Sequence, residues 1–300
     1  MDTSILILGT GALATLFAAR LASAGVDVTL LGSWLEAVQA LNTHGVRLVG
    51  LDGKEQVAPV RATDNASECR QASLALVLVK AWQTERAAGL LEDCLSADSL
   101  AVTLQNGLGN RETLARTIGP QRVAIGVTTM GATLLGPGIV RVGGEGTISL
   151  EAHPRIGPLE EGLRLAGFEV TVVEDAISLL WGKLVINAAI NPLTALVQVP
   201  NGELLQRPSL RQLMIDLATE VAMVARAYGI ALPFDDPAGA AILIAERTAP
   251  NRSSMLQDIL RGAPTEIDAI CGEVVRLGEA KGIPTPVNRA MWSLVRGLRD

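Results

Sequence analysis

The first half of the chain shows short, mostly apolar runs separated by turn signals and amphipathic segments. These runs occupy residues 4–8, 26–31, 74–79, 100–104, 123–130 and 169–173. Continuous apolar runs of this length are typical of strands buried on both faces of a parallel sheet. Gly136-Pro137-Gly138 indicates a hairpin into 139–142, and 147–150 is expected to pair nearby, so the sheet should end in antiparallel or mixed strands.

After Asp175 the pattern changes to helical periodicity, and we predict no further strand. The expected helices span 176–197, 209–228, 237–247, 254–261, 265–281 and 287–298, with breaks at glycines and prolines between them. We therefore place a domain boundary near residue 174, which gives a first domain over 1–174 and an all-helical domain over 175–300. The cleft between two such domains is the expected ligand site.

A glycine-rich turn joins the first predicted strand to a helix from about 13 to 24, and a second strand follows. The turn is Gly9-Thr10-Gly11-Ala12-Leu13-Ala14. In this strand–turn–helix context the first glycine allows the turn, the second lets backbone approach a pyrophosphate, and Ala14 lets the helix pack on the strand. The helix N-terminus supplies N–H groups to the phosphates. The fold class is therefore α/β, a Rossmann-type dinucleotide-binding domain followed by an all-α C-terminal domain.

Two polar residues come directly after later strands of the predicted sheet. Lys80 follows the strand 74–79, and Asn106 follows the strand 100–104 by two residues. Ligands of open α/β sheets lie at the carboxyl ends of the strands, so both residues are placed to touch the cofactor. The alternatives are a surface lysine and a turn asparagine before Gly107.

The helix around residues 180–195 is apolar except for one polar stripe. Lys183, Asn187, Asn191 and Thr194 fall within about 80° of one another at 100° per residue. A buried ammonium and buried amides are costly unless a partner meets them, which predicts a polar ligand. Pro192 predicts a kink. Alternatively, Lys183 extends to solvent and Asn191-Pro192 ends the helix.

Two later residues are candidates for the same site. Ser254 opens the helix 254–261, and Glu266 opens the helix 265–281. A structural role is available for each. Ser254 with Gln257 fits a capping box, and Glu266 fits a first-turn acid that favours the helix dipole.

The composition of the chain argues against several classes of function. The chain is 49% hydrophobic but only 3% aromatic, and its net charge of -6 argues against a nucleic-acid partner. Three separated cysteines without metal spacing indicate reduced thiols in a cytoplasmic protein, and we expect no signal peptide or membrane span. With only His44 and His153, both in polar, turn-rich surroundings, we do not expect histidine acid–base chemistry.

These motifs, in this order and spacing over nearly the whole chain, resemble the ketopantoate reductase family. The resemblance rests on residues 9–14, 80–83, 105–109, 181–184, 187, 190–195, 200–204, 253–258 and 265–268. It implies NADPH-dependent reduction of 2-dehydropantoate to pantoate, on the way to pantothenate and coenzyme A. It also implies Lys183 as general acid, Glu266 on the substrate's far hydroxyl, and Ser254 on the substrate carboxylate. Asn187 and Asn191 would make further substrate contacts, and Lys80 and Asn106 would lie between cofactor and substrate.

The chain departs from the family at the residue that reads the cofactor's 2′ position. Family members usually carry an arginine there, whereas this chain has Ser33 and no acidic residue for a free ribose hydroxyl. We therefore expect NADPH to be used with a weaker preference than usual, with NADH as the alternative cofactor. Two other functions remain open, namely a related 2-hydroxyacid dehydrogenase and a non-catalytic dinucleotide sensor. The apolar helical domain is compatible with a homodimer.

Overall fold

A computed structural model describes residues 4–298 of the 300-residue chain. This described part forms two compact units. The first unit extends to Gln105 and resumes over Asn110–Ala176. The second combines Asn106–Gly109 with the residues from Ile177 onward. Every described strand lies in the first unit and the second is built from helices, so the predicted fold class is confirmed.

Twelve strands are present in the described residues. They are β1 (Ser4–Leu8), β2 (Asp27–Leu31), β3 (Val46–Val49), β4 (Glu55–Ala58), β5 (Arg61–Thr63), β6 (Ala72–Val77), β7 (Leu95–Thr103), β8 (Val123–Thr128), β9 (Gly131–Gly136), β10 (Ile139–Gly144), β11 (Thr147–Glu151) and β12 (Glu169–Val173).

The main sheet has eight strands in the order β12-β11-β8-β7-β6-β1-β2-β5. All neighbouring pairs from β8 to β5 are parallel, whereas β11 is antiparallel to β8 and parallel to β12. The predicted mixed edge is therefore confirmed. From β1 the chain first builds outward through β2 to β5, and it then returns to the other side of β1 with β6. This reversal creates a topological switch point between β1 and β6, where doubly wound sheets bind nucleotides.

The predicted hairpin forms, but it belongs to a second sheet rather than to the end of the main one. β9 and β10 pair antiparallel, and β10 also pairs in parallel with β3, which gives the order β4-β3-β10-β9. The sequence pattern did not predict β3, β4 or β5. These strands are three or four residues long, and short segments carry too little periodicity to separate a strand from a loop.

The first unit contains five α-helices and three short 3₁₀ turns in its described part. The helices are α1 (Ala12–Ser23), α2 (Leu35–His44), α3 (Thr84–Cys94), α4 (Asn110–Ile118) and α5 (Gly157–Leu165). The side chains of β1 point alternately into two cores, because a strand presents successive residues to opposite faces. Ile5 and Ile7 pack with Phe17 of α1 in one core, whereas Leu6 and Leu8 lie in the other.

In its described part, the second unit contains six α-helices, one 3₁₀ turn at Asn201–Leu204 and one π-helical turn. The helices are α6 (Ala176–Val197), α7 (Pro208–Ala227), α8 (Pro237–Arg247), α9 (Ser254–Leu260), α10 (Glu273–Lys281) and α11 (Pro286–Gly297). The prediction of one helix over 265–281 is wrong at its start. Residues 263–265 are irregular, and a π-helical turn at Asp268–Gly272 then precedes α10. Prolines and glycines favour such breaks.

Helix α6 is the central apolar element of the second unit. Leu184, Val185, Ala188 and Ala189 are almost fully buried among the other helices. By length and composition this is the one helix among the described residues that is apolar enough to cross a membrane. However, 61% of its most apolar window is buried inside the protein, as in the core helices of soluble proteins.

Candidate active site

The glycine-rich turn between β1 and α1 begins with a glycine in a conformation that side chains rarely permit. Gly9 has φ +118°, and an added Cβ would lie 3.3 Å from the backbone carbonyl group of Leu78. Because this φ is rarely adopted by residues with a side chain, glycine is required here. Gly9 also lies against the chain that leaves β6, at the switch point of the sheet.

Gly11 is the residue that leaves the N-terminus of α1 open. It caps the helix without any side-chain hydrogen bond, and the first turn contains no acidic residue. A Cβ built on Gly11 would meet nothing within 4 Å, so the space in front of the helix is clear. Ala14 is fully buried against the sheet. Open N–H groups and unopposed positive potential fit a phosphate, and the predicted dinucleotide site therefore has a suitable geometry.

Ser33 lies on the surface where β2 ends, close to the same turn. The preceding residue, Gly32, donates its N–H to the carbonyl of Thr63 at 3.0 Å. A Cβ on Gly32 would come within 2.6 Å of the Thr10 side chain, which forms part of the glycine-rich turn. The end of β2 is therefore packed against this turn, and exposed Ser33 follows directly.

Lys80 is held at the switch point by a small hydrogen-bond network. Its N–H donates to Oε1 of Gln83 at 3.3 Å, and its side chain is half-buried. The carbonyl of Val79 accepts a 3.0 Å bond from Nε2 of Gln105, which also donates to Thr84. Buried Gln105 thus joins the segments that follow β6 and β7, and it fixes the backbone beside Lys80. Sequence reasoning named Asn106 and did not identify this role for Gln105.

Helix α6 carries the polar stripe as predicted. Lys183 and Asn187 are half-buried, whereas Asn191 is only 6% exposed and Thr194 is fully buried. The helix does not end at Asn191-Pro192 but continues to Val197, so the alternative of a helix boundary there is wrong. The stripe therefore lies on one continuous element.

Burial lowers the pKa of Lys183 from 10.5 to about 8, and the negative charge of Glu266 acts in the opposite direction. Desolvation disfavours the ammonium, whereas a nearby carboxylate stabilises it. A lysine with a pKa close to neutrality can give up a proton and regain it under ordinary conditions. This behaviour fits an acid–base group and does not fit a lysine that extends freely into solvent.

Glu266 is buried, at 5% exposure, and its Oε2 accepts a 3.0 Å hydrogen bond from Nδ2 of Asn106. These residues are 160 positions apart in the sequence. The neighbouring backbone is tightly joined, because Leu108 donates its N–H to the carbonyl of Ala269 at 2.9 Å. Gly107, with φ +80°, would place a Cβ only 2.3 Å from the same carbonyl, so this approach requires glycine.

The structural alternative for Glu266 is wrong, because the helical segment after it begins as a π-turn at Asp268. Glu266 is therefore not a first-turn acid of an α-helix. π-Helical turns are frequent at functional sites. The sequence also gave no indication that Asn106 belongs with the helical unit, whose buried carboxylate it contacts.

The structural alternative for Ser254 is wrong as well. The N-cap of α9 is Ser253, whose Oγ accepts the N–H of Leu256 at 3.1 Å. Gln257 does not complete a capping box with Ser254 but donates from Nε2 to the carbonyl of Arg252. Ser254 is exposed on the first turn of α9, so its hydroxyl is accessible to a ligand.

In the second unit, the structure brings Lys183, Glu266 and Asn106 together through charge and hydrogen bonding, and it places Asn187, Asn191 and Ser254 in the same unit. The glycine-rich turn, Ser33 and Lys80 lie in the first unit. Among residues 4–298, no group of three or more His, Cys, Asp or Glu side chains could hold a metal. The three cysteines are free, buried thiols.

Comparison with known proteins decides the family. Residues 5–155 match the family model described as ketopantoate reductase PanE/ApbA, and residues 175–299 match its C-terminal model. The chain belongs to the ketopantoate reductase family. Two ketopantoate reductases, both named 2-dehydropantoate 2-reductase, illustrate the similarity. The protein of Archaeoglobus fulgidus is 40% identical, covering 98% of this chain and 97% of its own. That of Pyrococcus horikoshii is 33% identical, covering 97% and 96%.

Solved structures agree with this family and add one further activity. A PanE/ApbA family ketopantoate reductase from Ralstonia eutropha JMP134 superposes with a TM-score of 0.92 at 36% identity, covering 99% of this chain and 98% of its own. D-mandelate dehydrogenase, solved with NADH and anilino(oxo)acetate, also reaches a TM-score of 0.92, at 26% identity and the same coverage. The chain is therefore an oxidoreductase of the ketopantoate reductase family.

Proposed function

We propose that this protein reduces 2-dehydropantoate to pantoate, with a nicotinamide dinucleotide as the hydride donor. The observation that carries the proposal is the electrostatic interaction of half-buried Lys183 with buried Glu266, in a chain 40% identical to a 2-dehydropantoate 2-reductase. Reduction of a ketone needs a proton donor at the carbonyl oxygen. Selection of this ketoacid needs a group that recognises its far hydroxyl.

The cofactor would bind to a domain formed by residues 1–174, and substrate recognition would belong to residues 175–300 together with Asn106. The open N-terminus of α1 and the turn from Gly9 to Ala14 would hold the pyrophosphate, and Lys80 would lie beside the cofactor at the switch point. When bound, the nicotinamide supplies the hydride for the ketone carbon.

Lys183 is the proposed general acid. Its ammonium stabilises negative charge on the ketone oxygen and donates a proton to it. The pKa of about 8 keeps most Lys183 side chains protonated at neutral pH and makes proton release easier than for an ordinary lysine. No histidine is among the candidate residues, and the other side chains of the stripe on α6 are amides and a hydroxyl. Lys183 is therefore the residue of the stripe that can supply this proton.

Glu266 is proposed to accept a hydrogen bond from the substrate's terminal hydroxyl. The amide of Asn106 orients its carboxylate through the 3.0 Å bond, so that the acceptor is held in place before substrate binds. Ser254 is proposed to bind the substrate carboxylate, with Asn187 and Asn191 as further polar contacts. All three belong to the same unit as Lys183.

NADPH is the proposed cofactor, with weaker discrimination against NADH than in most of the family. Ser33 is exposed at the position where an arginine usually reads the 2′-phosphate. A serine hydroxyl offers one hydrogen bond, whereas a guanidinium offers paired, charge-assisted bonds.

A second candidate function is the reduction of another branched or aromatic 2-ketoacid. The structural similarity to D-mandelate dehydrogenase favours it, because that protein shares the fold at 26% identity and was solved with NADH. Glu266 favours the first candidate, since its buried carboxylate can accept a hydrogen bond from the far hydroxyl of 2-dehydropantoate, and an apolar substrate has no such donor.

The test is turnover of NADPH and NADH by the purified protein against a panel of 2-ketoacids that includes 2-dehydropantoate, 2-ketoisovalerate and phenylglyoxylate. We expect kcat/KM to be highest for 2-dehydropantoate with NADPH. A preference for phenylglyoxylate would instead support the dehydrogenase function. Dinucleotide binding without turnover of any ketoacid would contradict both and support a sensor.

We also infer that the enzyme acts in the cytoplasm on a small molecule, without a nucleic-acid or membrane partner. The net charge of -6 and the free thiols support this inference. Size-exclusion chromatography with light scattering tests the homodimer that the apolar helical unit suggests.

A further inference from the structure

Thr194, the last member of the polar stripe on α6, is not used by the proposed chemistry and is fully buried. Its Oγ1 lies 2.7 Å from Oγ of Ser253, which is itself 7% exposed. The two residues are 59 positions apart, and their contact joins α6 to the N-terminus of α9. Both helices belong to the second unit.

The proton positions in this contact follow from the other bonds that each hydroxyl makes. The single proton of Thr194 is directed to the carbonyls of Ile190 and Asn191, each at 3.0 Å. Ser253 Oγ accepts the N–H of Leu256 and keeps its own proton free to donate. Ser253 therefore donates to Thr194, because a hydroxyl has one proton and two lone pairs. A series of hydrogen bonds therefore runs from the Leu256 N–H in the first turn of α9, through Ser253 and Thr194, to the backbone carbonyls of α6.

These hydrogen bonds end on the turn of α6 that contains Pro192, where one backbone hydrogen bond is missing. Pro192 has no N–H, so the carbonyl of Ala188 lacks its usual partner four residues on. Thr194 bonds the two carbonyls just before that proline, and thereby supports the turn that contains Asn191. At the other end of this series of hydrogen bonds, Ser253 precedes Ser254 directly.

We propose that Thr194 and Ser253 form a positioning pair that sets the spacing between Asn191 and Ser254, the two proposed substrate contacts beside them. This inference rests on the proposed reduction of a 2-ketoacid. Neither buried hydroxyl touches the substrate. The pair keeps the two binding groups in fixed positions for one bound ketoacid, so its loss weakens substrate binding more than proton transfer at Lys183.

The test is Thr194→Val, which keeps the shape of the side chain and removes the hydroxyl. We expect KM for the preferred 2-ketoacid to rise about tenfold while kcat changes much less, because one buried hydrogen bond is lost away from the reacting atoms. The dissociation constant for NADPH should be unchanged. Thr194→Ser restores a hydroxyl and should restore KM.

Thr219→Val is the matched control. Thr219, an exposed residue of α7, makes the same bond to the carbonyl four residues earlier. We expect its KM to equal that of the unmodified enzyme. Should Thr194→Val fail to fold, Thr194→Ala removes the same contact and leaves the Ser253 cap of α9 in place, so its KM is interpreted in the same way.

Three outcomes would overturn the positioning pair. One is a lower melting temperature with unchanged KM, which would make the contact purely structural. The second is a failure of Thr194→Ser to restore KM. The third is an equal rise of KM in Thr219→Val. An unmodified protein that reduces no 2-ketoacid would overturn the proposed function and this inference together, whereas an active protein with an unaffected Thr194→Val variant overturns this inference alone.

Discussion

The pH dependence of the reaction is the most direct test of Lys183. A general acid must be protonated, so kcat/KM should fall as pH rises through the pKa of the acid. With a pKa of about 8, about nine-tenths of the Lys183 side chains carry the proton at about pH 7 and about one-tenth at about pH 9. We therefore expect kcat/KM for 2-dehydropantoate to fall about tenfold between these two pH values. A lysine at its ordinary 10.5 would lose only a few per cent of its protonated form.

The assay follows nicotinamide absorbance at saturating NADPH from about pH 6 to about pH 10. Lys183→Ala should retain NADPH affinity, lose about 10² to 10⁴ in kcat, and no longer show the basic limb. Lys281→Ala is the control, since this lysine stacks on Tyr228 in the same unit outside the proposed site. It should leave both the rate and the limb unchanged.

Glu266→Gln tests the origin of the pKa. The carboxylate of Glu266 raises the pKa of Lys183 against the effect of burial, so its removal should move the basic limb to lower pH. A basic limb that stayed near pH 10 in the unmodified enzyme, or near-normal kcat in Lys183→Ala, would refute the assignment of Lys183 as the acid.

Three further predictions address selectivity and stability. Glu266→Ala should reduce the advantage of 2-dehydropantoate over 2-ketoisovalerate in kcat/KM, because the variant lacks the carboxylate that accepts the terminal hydroxyl of 2-dehydropantoate. Equal efficiency of the unmodified enzyme on both substrates would contradict this. Ser33→Arg should raise the NADPH-to-NADH ratio of kcat/KM about tenfold, and an unmoved ratio would mean that another group reads the 2′-phosphate. Glu220 accepts 2.8 Å bonds from two N–H groups in the first turn of α11, so Glu220→Ala should lower the free energy of unfolding in urea by about 3 kcal/mol. Glu279→Ala, which removes the exposed ion pair between α10 and Arg289 of α11, should lower the free energy of unfolding by less than about 1 kcal/mol.

Local sequence chemistry determined the elements that hold the candidate site. The apolar runs and the turn from Gly9 to Ala14 predicted the βαβ unit, because period and glycine placement are properties of neighbouring residues. The same is true of the stripe that contains Lys183 and Asn191, which the periodicity of one helix predicts. The family resemblance added the expected roles, and the family itself is confirmed by the matches to both of its sequence models.

Tertiary structure alone decided which of these groups meet. The bond between Asn106 and Glu266, the choice of Ser253 over Ser254 as the cap of α9, and the contact of Thr194 with Ser253 all join distant segments. The second sheet, in which β3 pairs with β10, has the same origin. Local periodicity specifies which face a residue occupies, but the partner on that face depends on how separate helices and strands pack. The pKa of Lys183 also depends on this packing, because it is set by burial and by a carboxylate far away in the sequence.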